Sequence, residues 1–357
     1  MALFRYKDSK TQALADHLNE TAQRQFTQEE LFQFAPYDPD AGERGGYSGY
    51  SYWRSTLRAF RKDRTAMFFL CVIALTLLFT FLEPLIPYDR QPNTIYYTER
   101  AEINLFTRQP VLDENGDPVV KVSLAKDLAP GKEFWFGTNT IGQDLWSQIW
   151  AGTRNSLAIG FAVACVDALL GILVGVLWGY VRKLDFLFTE LYNVFDNVPQ
   201  TLLVIIISYI LRPGMGTMIF AMCLTSWLQT ARFVRNQVVI IRDRDYNLAS
   251  RCLGTSTWHI ITRNLLPYLV SIITMRMALA IPAAINNEVF ITYIGLGVPL
   301  ETPTLGNLVE AGRKVMSEAA LRYQLFIPVI ILATITISFY IIGNAFADAA
   351  DPKNHVN

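Results

Sequence analysis

The sequence predicts an all-α integral membrane protein with six transmembrane helices, and two observations carry this prediction. The 357 residues are 52% hydrophobic and only 17% charged, whereas soluble globular chains average about 25% charged residues. The apolar residues are also gathered in runs of about 20, the length that an α-helix needs to cross the hydrocarbon core of a bilayer. A balance of 31 basic and 31 acidic residues leaves no net positive field for phosphates, so nucleic acid is not expected as a partner.

Six apolar runs set the predicted topology. They are approximately 66–86, 156–180, 191–211, 216–233, 268–294 and 324–346. Basic residues precede the first run and follow the second and the fourth, where the positive-inside rule places cytoplasmic loops. An even number of spans then puts both the N-terminus and the C-terminus in the cytoplasm.

The runs divide the chain into regions with different expected environments. These are a cytoplasmic N-terminal tail with a basic juxtamembrane segment (1–64), a first transmembrane helix (65–86), an extracellular loop region (87–155), a core of five transmembrane helices (156–347) containing a cytoplasmic loop (234–267), and a cytoplasmic C-terminal tail (348–357). The first 50 residues are polar rather than a signal peptide, so the first run is expected to remain as an anchor.

No pattern in the sequence is typical of a catalytic or metal site. Its four cysteines have neither metal-ligand nor CxxC spacing, and its three histidines are scattered. The phosphate-binding pattern G-x-x-x-x-G-K-[ST] is absent, so the chain is not expected to bind ATP or to carry a cofactor. An enzyme is not predicted, and the energy for any transport has to come from another polypeptide.

The loop between the fourth and fifth runs is predicted to begin with a short helix. One face of that helix carries Tyr246, Ala249, Ser250 and Leu253. This is the i, i+3, i+4, i+7 spacing of a helix, and the small residues in its middle let another surface approach closely. Gly254 follows directly, at the position where a glycine in the left-handed conformation commonly ends a helix.

A second helix is predicted to follow the glycine. The hydroxyl side chains of residues 255–257 can cap a helix that starts near Trp258, and Pro267 is expected to kink or break it before the next apolar run. On this pattern alone, an ordinary amphipathic loop and a docking site for another protein are equally good explanations.

A stripe of small residues is predicted to bring two helices into close contact. Gly171, Gly175 and Gly179 recur every four residues in the second apolar run, so they lie on one helix face. Small residues in such a stripe let neighbouring backbones approach closely in lipid. We interpret the stripe as a packing surface rather than as a ligand site.

The loop 245–267 resembles the loop of bacterial ABC importer permeases, written EAA, three residues, Gly, nine residues, I-x-L-P. Leu248-Ala249-Ser250, Gly254 and Leu266-Pro267 stand at those spacings. Leu248 replaces the family's Glu and Asn264 its Ile, so the carboxylate is missing while the docking shape remains. The resemblance implies an ATPase-docking loop that consists of Tyr246, Leu248, Ala249, Ser250, Arg251, Leu253 and Gly254.

Other stretches resemble the same family. Residues 136–160 resemble the FGTDxxGRDxxSRxxxGxRxSLxxG signature of peptide and nickel importer permeases, although Gln143 and Gln148 replace its arginines. Residues 292–313 resemble its FLGLG…PxxGxxxxxGR stretch, and residues 344–352 resemble its C-terminal ending. The resemblance covers approximately residues 52–353.

The resemblance implies the type I ABC importer permease fold and the C-type subunit of a Gram-positive oligopeptide importer in the bacterial cell membrane. It implies a second homologous permease, two ABC ATPases that bind ATP and Mg, an extracellular peptide-binding protein and a peptide substrate as partners within a lipid bilayer. ATPase motion would pass through the loop and drive alternating access. The motifs do not identify the cargo, so a dipeptide or nickel importer stays an alternative, as does an ion-coupled secondary transporter.

Polar residues inside the apolar runs are candidates for a translocation path. The candidates are Asp196, Asn197, Asn286, Asn287 and Glu288; the runs also hold Asp167, Asn193 and Arg276. Charged groups at membrane depth are expensive, so they usually face a bundle interior or a water-filled passage. Hydrogen bonding between helices is an equally good explanation and stays open here.

Overall fold

The computed structural model describes residues 52–101 and 120–350. Most of the two predicted tails (1–51 and 351–357) and residues 102–119 of the predicted extracellular loop region lie outside these residues. Three helices in the described part combine the length and apolar composition needed to cross a bilayer: Arg64–Leu85, Leu145–Tyr180 and Ala319–Ala350. A bent helix pair adds a fourth span if it is counted as one. The count of six spans and the location of the termini stay predictions.

The described chain is mainly helical, with one small sheet. In chain order the elements are α1 (Tyr52–Lys62), α2 (Arg64–Leu82), a 3-10 turn (Glu83–Leu85), β1 (Tyr97–Ala101), β2 (Val120–Leu124), α3 (Leu145–Tyr180), α4 (Arg182–Asp196), α5 (Gln200–Ile210), α6 (Met215–Arg242), α7 (Asp245–Cys252), α8 (Thr257–Ile260), a π-helix (Ile261–Leu265), α9 (Leu266–Tyr293), α10 (Leu305–Lys314), a 3-10 turn (Ala319–Leu321) and α11 (Tyr323–Ala350). The first, fourth, fifth and sixth predicted runs correspond to α2, α6, α9 and α11.

The third predicted span is not one helix. The run 191–211 is divided between α4 and α5, whose axes differ in direction by 79°. Pro199 stands at the break with an extended ψ of 126°. Proline lacks the N–H that a continuing helix requires, and it disfavours a helical conformation at the preceding Val198. The run predicted as one spanning helix therefore consists of two helices that meet at Pro199.

The second predicted span starts earlier than residue 156. Helix α3 begins at Leu145, where the Asp144 side chain accepts a hydrogen bond from the backbone N–H of Ser147 at 2.8 Å. Arg154, in this early part of α3, lies 3.0 Å from the Glu83 carboxylate. The last part of the predicted extracellular region is therefore the first part of α3.

The glycine stripe packs α3 against α6, as the sequence predicts. A Cβ atom at Gly175 would lie 2.5 Å from the backbone oxygen of Ala231, and one at Gly179 would lie 2.7 Å from Cβ of Val238. Real Cβ atoms essentially never approach other atoms so closely. Residues 171, 175 and 179 therefore form a seam in which the two backbones lie almost in contact, which we call the glycine seam.

The segment between α2 and α3 is attached to the last helix. Strands β1 and β2 pair antiparallel. Behind the sheet, the single proton of the Tyr323 hydroxyl of α11 is shared between the backbone oxygens of Leu128 (2.7 Å) and Thr138 (3.0 Å). The Gln324 amide donates to the Asp127 carboxylate at 2.9 Å. This outer segment is thus fixed to the end of the bundle opposite α7.

Apolar side chains from α3, α6 and α9 form a core in the centre of the bundle. It includes the fully buried Ile159, Met218, Met222 and Ile291. Helix α9 also packs against α10 and α11. This arrangement places α9 between the outer segment and α7, and it determines which of its faces remains open.

Candidate functional site

The loop after α6 has the predicted helix and glycine turn. Helix α7 runs from Asp245 to Cys252, and Gly254 adopts the left-handed conformation with φ +81°. Its N–H donates to the Arg251 carbonyl at 2.9 Å, while the Thr255 N–H reaches the Ser250 carbonyl at 3.1 Å. The surroundings of Gly254 are open, because no atom lies within 4 Å of the place that a Cβ atom would take. Its backbone conformation rather than crowding therefore favours glycine there.

The second helix of the loop differs from its prediction at the far end. The Ser256 hydroxyl caps α8 by accepting from the His259 N–H at 3.4 Å. The chain then stays helical through a π-helix directly into α9, where Pro267 lies in the first turn. A proline cannot donate a hydrogen bond to the preceding turn, and that turn is π-helical here, so the helix continues past Pro267 instead of breaking.

The outward face of this loop is apolar and uncovered. Tyr246 and Leu248 are exposed, and Leu253 and Trp258 show 86% and 63% of their surface. Ala249 is exposed as well, and the Ser250 hydroxyl donates to the Tyr246 carbonyl at 2.9 Å within the helix. Most of the predicted docking residues thus share a surface that another protein can cover.

The inward face of α7 is fixed by buried polar contacts. Asn247 is completely buried, and its amide nitrogen donates to the Ile241 carbonyl of α6 at 2.9 Å. Its amide oxygen accepts from Asn264, in the π-helix before α9, at 3.1 Å. Asn264 is a departure from the family pattern, and the structure shows that it ties α7 to the start of α9.

Arginines tie the same helix to α6 and α3. Arg251 donates to the Arg242 carbonyl at 3.0 Å and lies over the Tyr180 ring. Arg242 in turn donates to the Gly179 carbonyl at the end of α3, at 2.6 Å. Asp243 lies among these arginines. Its slight burial favours a higher carboxyl pKa, but the hydrogen bond from Arg242 and the positive charges of the neighbouring arginines have a larger, opposite effect. The pKa of Asp243 therefore lies below its ordinary value. Arg251 therefore holds the loop from behind instead of joining its exposed face.

A polar cleft opens between α3, α5, α6 and α9. It encloses about 540 Å³, including the space at its mouth. Its polar lining consists of Asp167, Gln200, Ser226, Gln229, Arg276 and Asn287. A second cleft of about 580 Å³ adjoins it, because Gln200 and Gln229 line both.

Two of the predicted path residues lie at these clefts. Asn287 lines the first, and Asp196 lines the second. The Asp196 carboxylate accepts from the Tyr192 hydroxyl at 2.6 Å and lies 3.4 Å from Arg232. Asn287 and Asp196 thus line neighbouring clefts that share Gln200 and Gln229.

The other three candidates have different surroundings. Asn197 is exposed and its side chain donates to the Asn193 carbonyl in its own helix at 2.6 Å. Asn286 is exposed as well, and neither residue lines the two clefts. Glu288 is completely buried and accepts from the Ser156 hydroxyl of α3 at 3.0 Å and from Thr292 at 3.1 Å. For Glu288, the structure therefore shows the hydrogen bonding between helices that the sequence left as an alternative.

Two charged residues that line the cleft, Asp167 and Arg276, were not among the predicted path residues. The Thr230 hydroxyl donates to Oδ2 of Asp167 at 2.9 Å and accepts from Nε of Arg276 at 3.4 Å. Asp167 and Arg276 both interrupt apolar runs, and that was the available signal. Their pairing through Thr230 depends on three helices and leaves no local pattern.

Comparison with known proteins identifies similar chains. Residues 169–356 match the family described as "Binding-protein-dependent transport system inner membrane component". Residues 51–105 match the "N-terminal TM domain of oligopeptide transport permease C". Among solved structures, the inward-facing MetNI methionine ABC transporter is similar at 20% identity and a TM-score of 0.46, over 57% of this chain and 97% of that one.

Curated relatives are similar over nearly the whole chain. The oligopeptide transport system permease protein AmiD of Streptococcus pneumoniae is 32% identical over 91% of this chain and 98% of its own length. The oligopeptide permease OppC of Bacillus subtilis is 30% identical over 90% and 96%. The dipeptide permease DppC of the same organism is 31% identical over 85% and 86%.

Proposed function

This chain belongs to the binding-protein-dependent inner membrane components, the integral membrane permeases of ABC transporters, and on that premise we propose that it is a permease subunit of an oligopeptide importer. The named oligopeptide relatives support this cargo. Dipeptides are the second candidate, because a dipeptide permease is 31% identical. Uptake of dipeptides measured against longer oligopeptides, with the same complex, distinguishes the two cargoes.

The proposal includes six spans with cytoplasmic termini. Helices α6 and α9 have 28 residues each. At 1.5 Å per residue each is about 42 Å long, more than the roughly 30 Å of a hydrocarbon core. Polar groups of both helices face the clefts, where water rather than lipid surrounds them. Helix α7 then lies on the cytoplasmic side and the outer segment on the extracellular side.

The observation that carries the proposal is the two-sided character of α7. Its outward face exposes Tyr246, Leu248 and Leu253, while its inward face is hydrogen-bonded to α6 and to the start of α9. An exposed apolar surface of this kind is typical of a protein–protein contact. An ATPase that docks there moves a rigidly attached helix, and this movement reaches α9, which forms one wall of the cleft.

The partners follow from this arrangement. Two ABC ATPases bind ATP and Mg²⁺, one of them docks on the 245–258 surface of this chain, and this chain itself supplies no catalytic residue. A second homologous permease closes the open side of the cleft, so that each permease forms half of the passage. A peptide-binding protein delivers the peptide to the extracellular end. ATP binding and hydrolysis then alternate the access of the passage between the two sides of the membrane.

The test places a large side chain on the docking face. Ala249→Trp should lower the amount of ATPase that co-purifies with the chain by about tenfold, the equivalent of ~1.4 kcal/mol of binding, because the indole keeps the partner surface away. Ala320→Trp is the matched control, since Ala320 is also exposed but lies next to α11 at the opposite end. Both variants should remain in the membrane at the wild-type level.

Two outcomes would contradict the proposal. If Ala249→Trp retains its ATPase and its peptide uptake, the surface is not the docking site. If the wild-type chain is purified from its native membrane without any ATPase, even after mild crosslinking, the chain is not an ABC importer subunit. An ion-coupled secondary transporter would then be the hypothesis to test.

A further inference from the structure

One wall of the polar cleft is a single face of α9. Arg276 and Asn287 mark its two ends, and the side chains that line the cleft between them include Ala280, Ala283 and Ala284. The two ends are eleven positions apart in the helix, which corresponds to about 16 Å along the axis. Alanines make up most of this wall beside Leu279, so much of its length is open. The wall carries a cation at its end nearest α7.

The guanidinium group of Arg276 has donors to spare. Its Nε donates to the Thr230 hydroxyl at 3.4 Å, and its flat group lies 5.7 Å from the centre of the Phe233 ring. Among the described residues, no carboxylate lies within ion-pair distance of it, and its two terminal nitrogens donate to no protein group. The fork of the guanidinium thus remains free on the cleft side.

A buried carboxylate balances the charge of Arg276 without occupying that fork. Asp167 is 7% exposed, and its Oδ2 accepts from Thr230 at 2.9 Å. Its other oxygen, Oδ1, is buried and has no hydrogen-bond partner among the described residues. A charge at this depth is costly unless an opposite charge is near. The Thr230 hydroxyl, which is hydrogen-bonded to both Asp167 and Arg276, keeps the two opposite charges near each other and holds the arginine in place.

We propose that Arg276 binds a carboxylate group of the transported peptide, with Asp167 and Thr230 as positioning residues. This inference rests on the proposed peptide-import function and names a subsite within it. Arginine is suited to this task because its planar fork donates two parallel hydrogen bonds to a carboxylate. The C-terminal carboxylate occurs in every unmodified peptide, whatever its sequence.

The remaining polar groups of the cleft fit the same kind of cargo. Gln200, Gln229 and Asn287 carry amide side chains that both donate and accept hydrogen bonds, as peptide backbones do. Neither the amides nor Arg276 depends on particular side chains of the cargo. The carboxylate of an acidic side chain is the other source of the same chemistry, and the experiment separates the two.

The test compares three peptides with otherwise identical sequences in the complete transporter. One has a free C-terminus and no acidic side chain, one is its C-terminal amide, and one is the amide with a single Glu. Initial uptake rates are measured for the wild type and for Arg276→Gln. Because the binding protein is the same in both, its own preference cancels when the rate ratios of the two transporters are compared.

In Arg276→Gln we expect the ratio of free-acid uptake to amide uptake to fall about tenfold relative to the wild type, as for the loss of one charge-assisted pair. Arg276→Lys should give an intermediate ratio, because it keeps the charge but not the fork. Asp167→Asn should lower the ratio less. Arg182→Gln is the control, since Arg182 is an exposed cation away from the cleft, and its ratio should not change.

Each result has a distinct meaning. If only the Glu-bearing amide loses uptake relative to the plain amide, the subsite binds a side-chain carboxylate and the proposal stands in that form. If Arg276→Gln slows all three peptides equally, at normal membrane level and ATPase content, the carboxylate subsite is refuted while peptide import stands. If the assembled wild-type complex takes up none of the three in the presence of ATP, the proposed function itself fails.

Discussion

The glycine seam and the polar cleft share two helices, α3 and α6, but these helices are closely packed in the seam and apart at the cleft. In the seam, α3 and α6 lie almost backbone to backbone. Nearer the outer segment, Asp167 on α3 and Gln229 on α6 line an open space. Thr230 marks the boundary. A Cβ at Gly171 would lie 2.5 Å from its methyl group, while its hydroxyl donates to Asp167. The methyl group of Thr230 therefore belongs to the packed seam, and its hydroxyl belongs to the polar cleft.

This difference predicts whether a substitution in each region changes stability or transport. Side chains in the seam have no room, so a change of size there should affect folding. Side chains in the cleft have room and water, so a change of chemistry there should affect transport with little effect on stability. Three substitutions test this division, and their expected effects on stability decrease in the order given.

The largest expected effect is at the centre of the seam. Gly175→Ala should destabilise the protein by about 3 kcal/mol, at the upper end for an overpacked site, because the obstacle is the Ala231 backbone oxygen rather than a movable side chain. Thermal unfolding in detergent measures it. Gly216→Ala is the control, since no atom lies within 4 Å of its Cβ position. Equal unfolding temperatures for the two variants would show that the seam is not tightly packed.

A smaller loss of stability is expected at Glu288. Glu288→Ala should cost about 2 kcal/mol, because the buried hydroxyls of Ser156 and Thr292 lose their acceptor. Glu288→Gln keeps an acceptor oxygen and should cost less. The same unfolding measurement, combined with peptide uptake, distinguishes the roles of this residue. Unchanged stability with abolished uptake in Glu288→Ala would assign Glu288 to the passage instead of to helix packing.

The smallest effect on stability is expected in the cleft itself. Asn287→Ala should change the free energy of unfolding by less than about 0.5 kcal/mol. The peptide concentration for half-maximal uptake should rise about fivefold, the equivalent of about 1 kcal/mol for one hydrogen bond. Asn286→Ala is the matched control, because the neighbouring amide lines neither cleft. Similar uptake curves for both variants would remove Asn287 from the passage.

Features with a local period could be predicted from the sequence. The glycines of the seam recur every four residues, and α7 with its left-handed Gly254 follows from helical spacing and a turn residue. The break at Pro199 also had a local signal, but the apolar run on both sides of it outweighed the proline in the prediction. Helix bounds were less accurate, since caps such as Asp144 decide them.

Contacts between distant residues could not be predicted in the same way. Thr230 lies 63 positions after Asp167 and 46 before Arg276, and only the packing of three helices brings them together. Asn247 and Asn264 are 17 positions apart, and neither lies on the exposed helix face that the spacing identified. Such pairs follow from tertiary geometry, so the sequence indicated single polar residues but not their partners.

The attachment of the outer segment to α11 has a consequence for the order of events during synthesis. Tyr323 is 195 positions after Leu128 and 185 after Thr138, the two carbonyls that its hydroxyl holds. At about 5–20 residues per second, a ribosome needs roughly 10–40 s to make that length of chain. The segment beyond α2 is therefore translated long before its anchor exists. Its final arrangement is one of the last steps of biogenesis, although it belongs to the first half of the polypeptide.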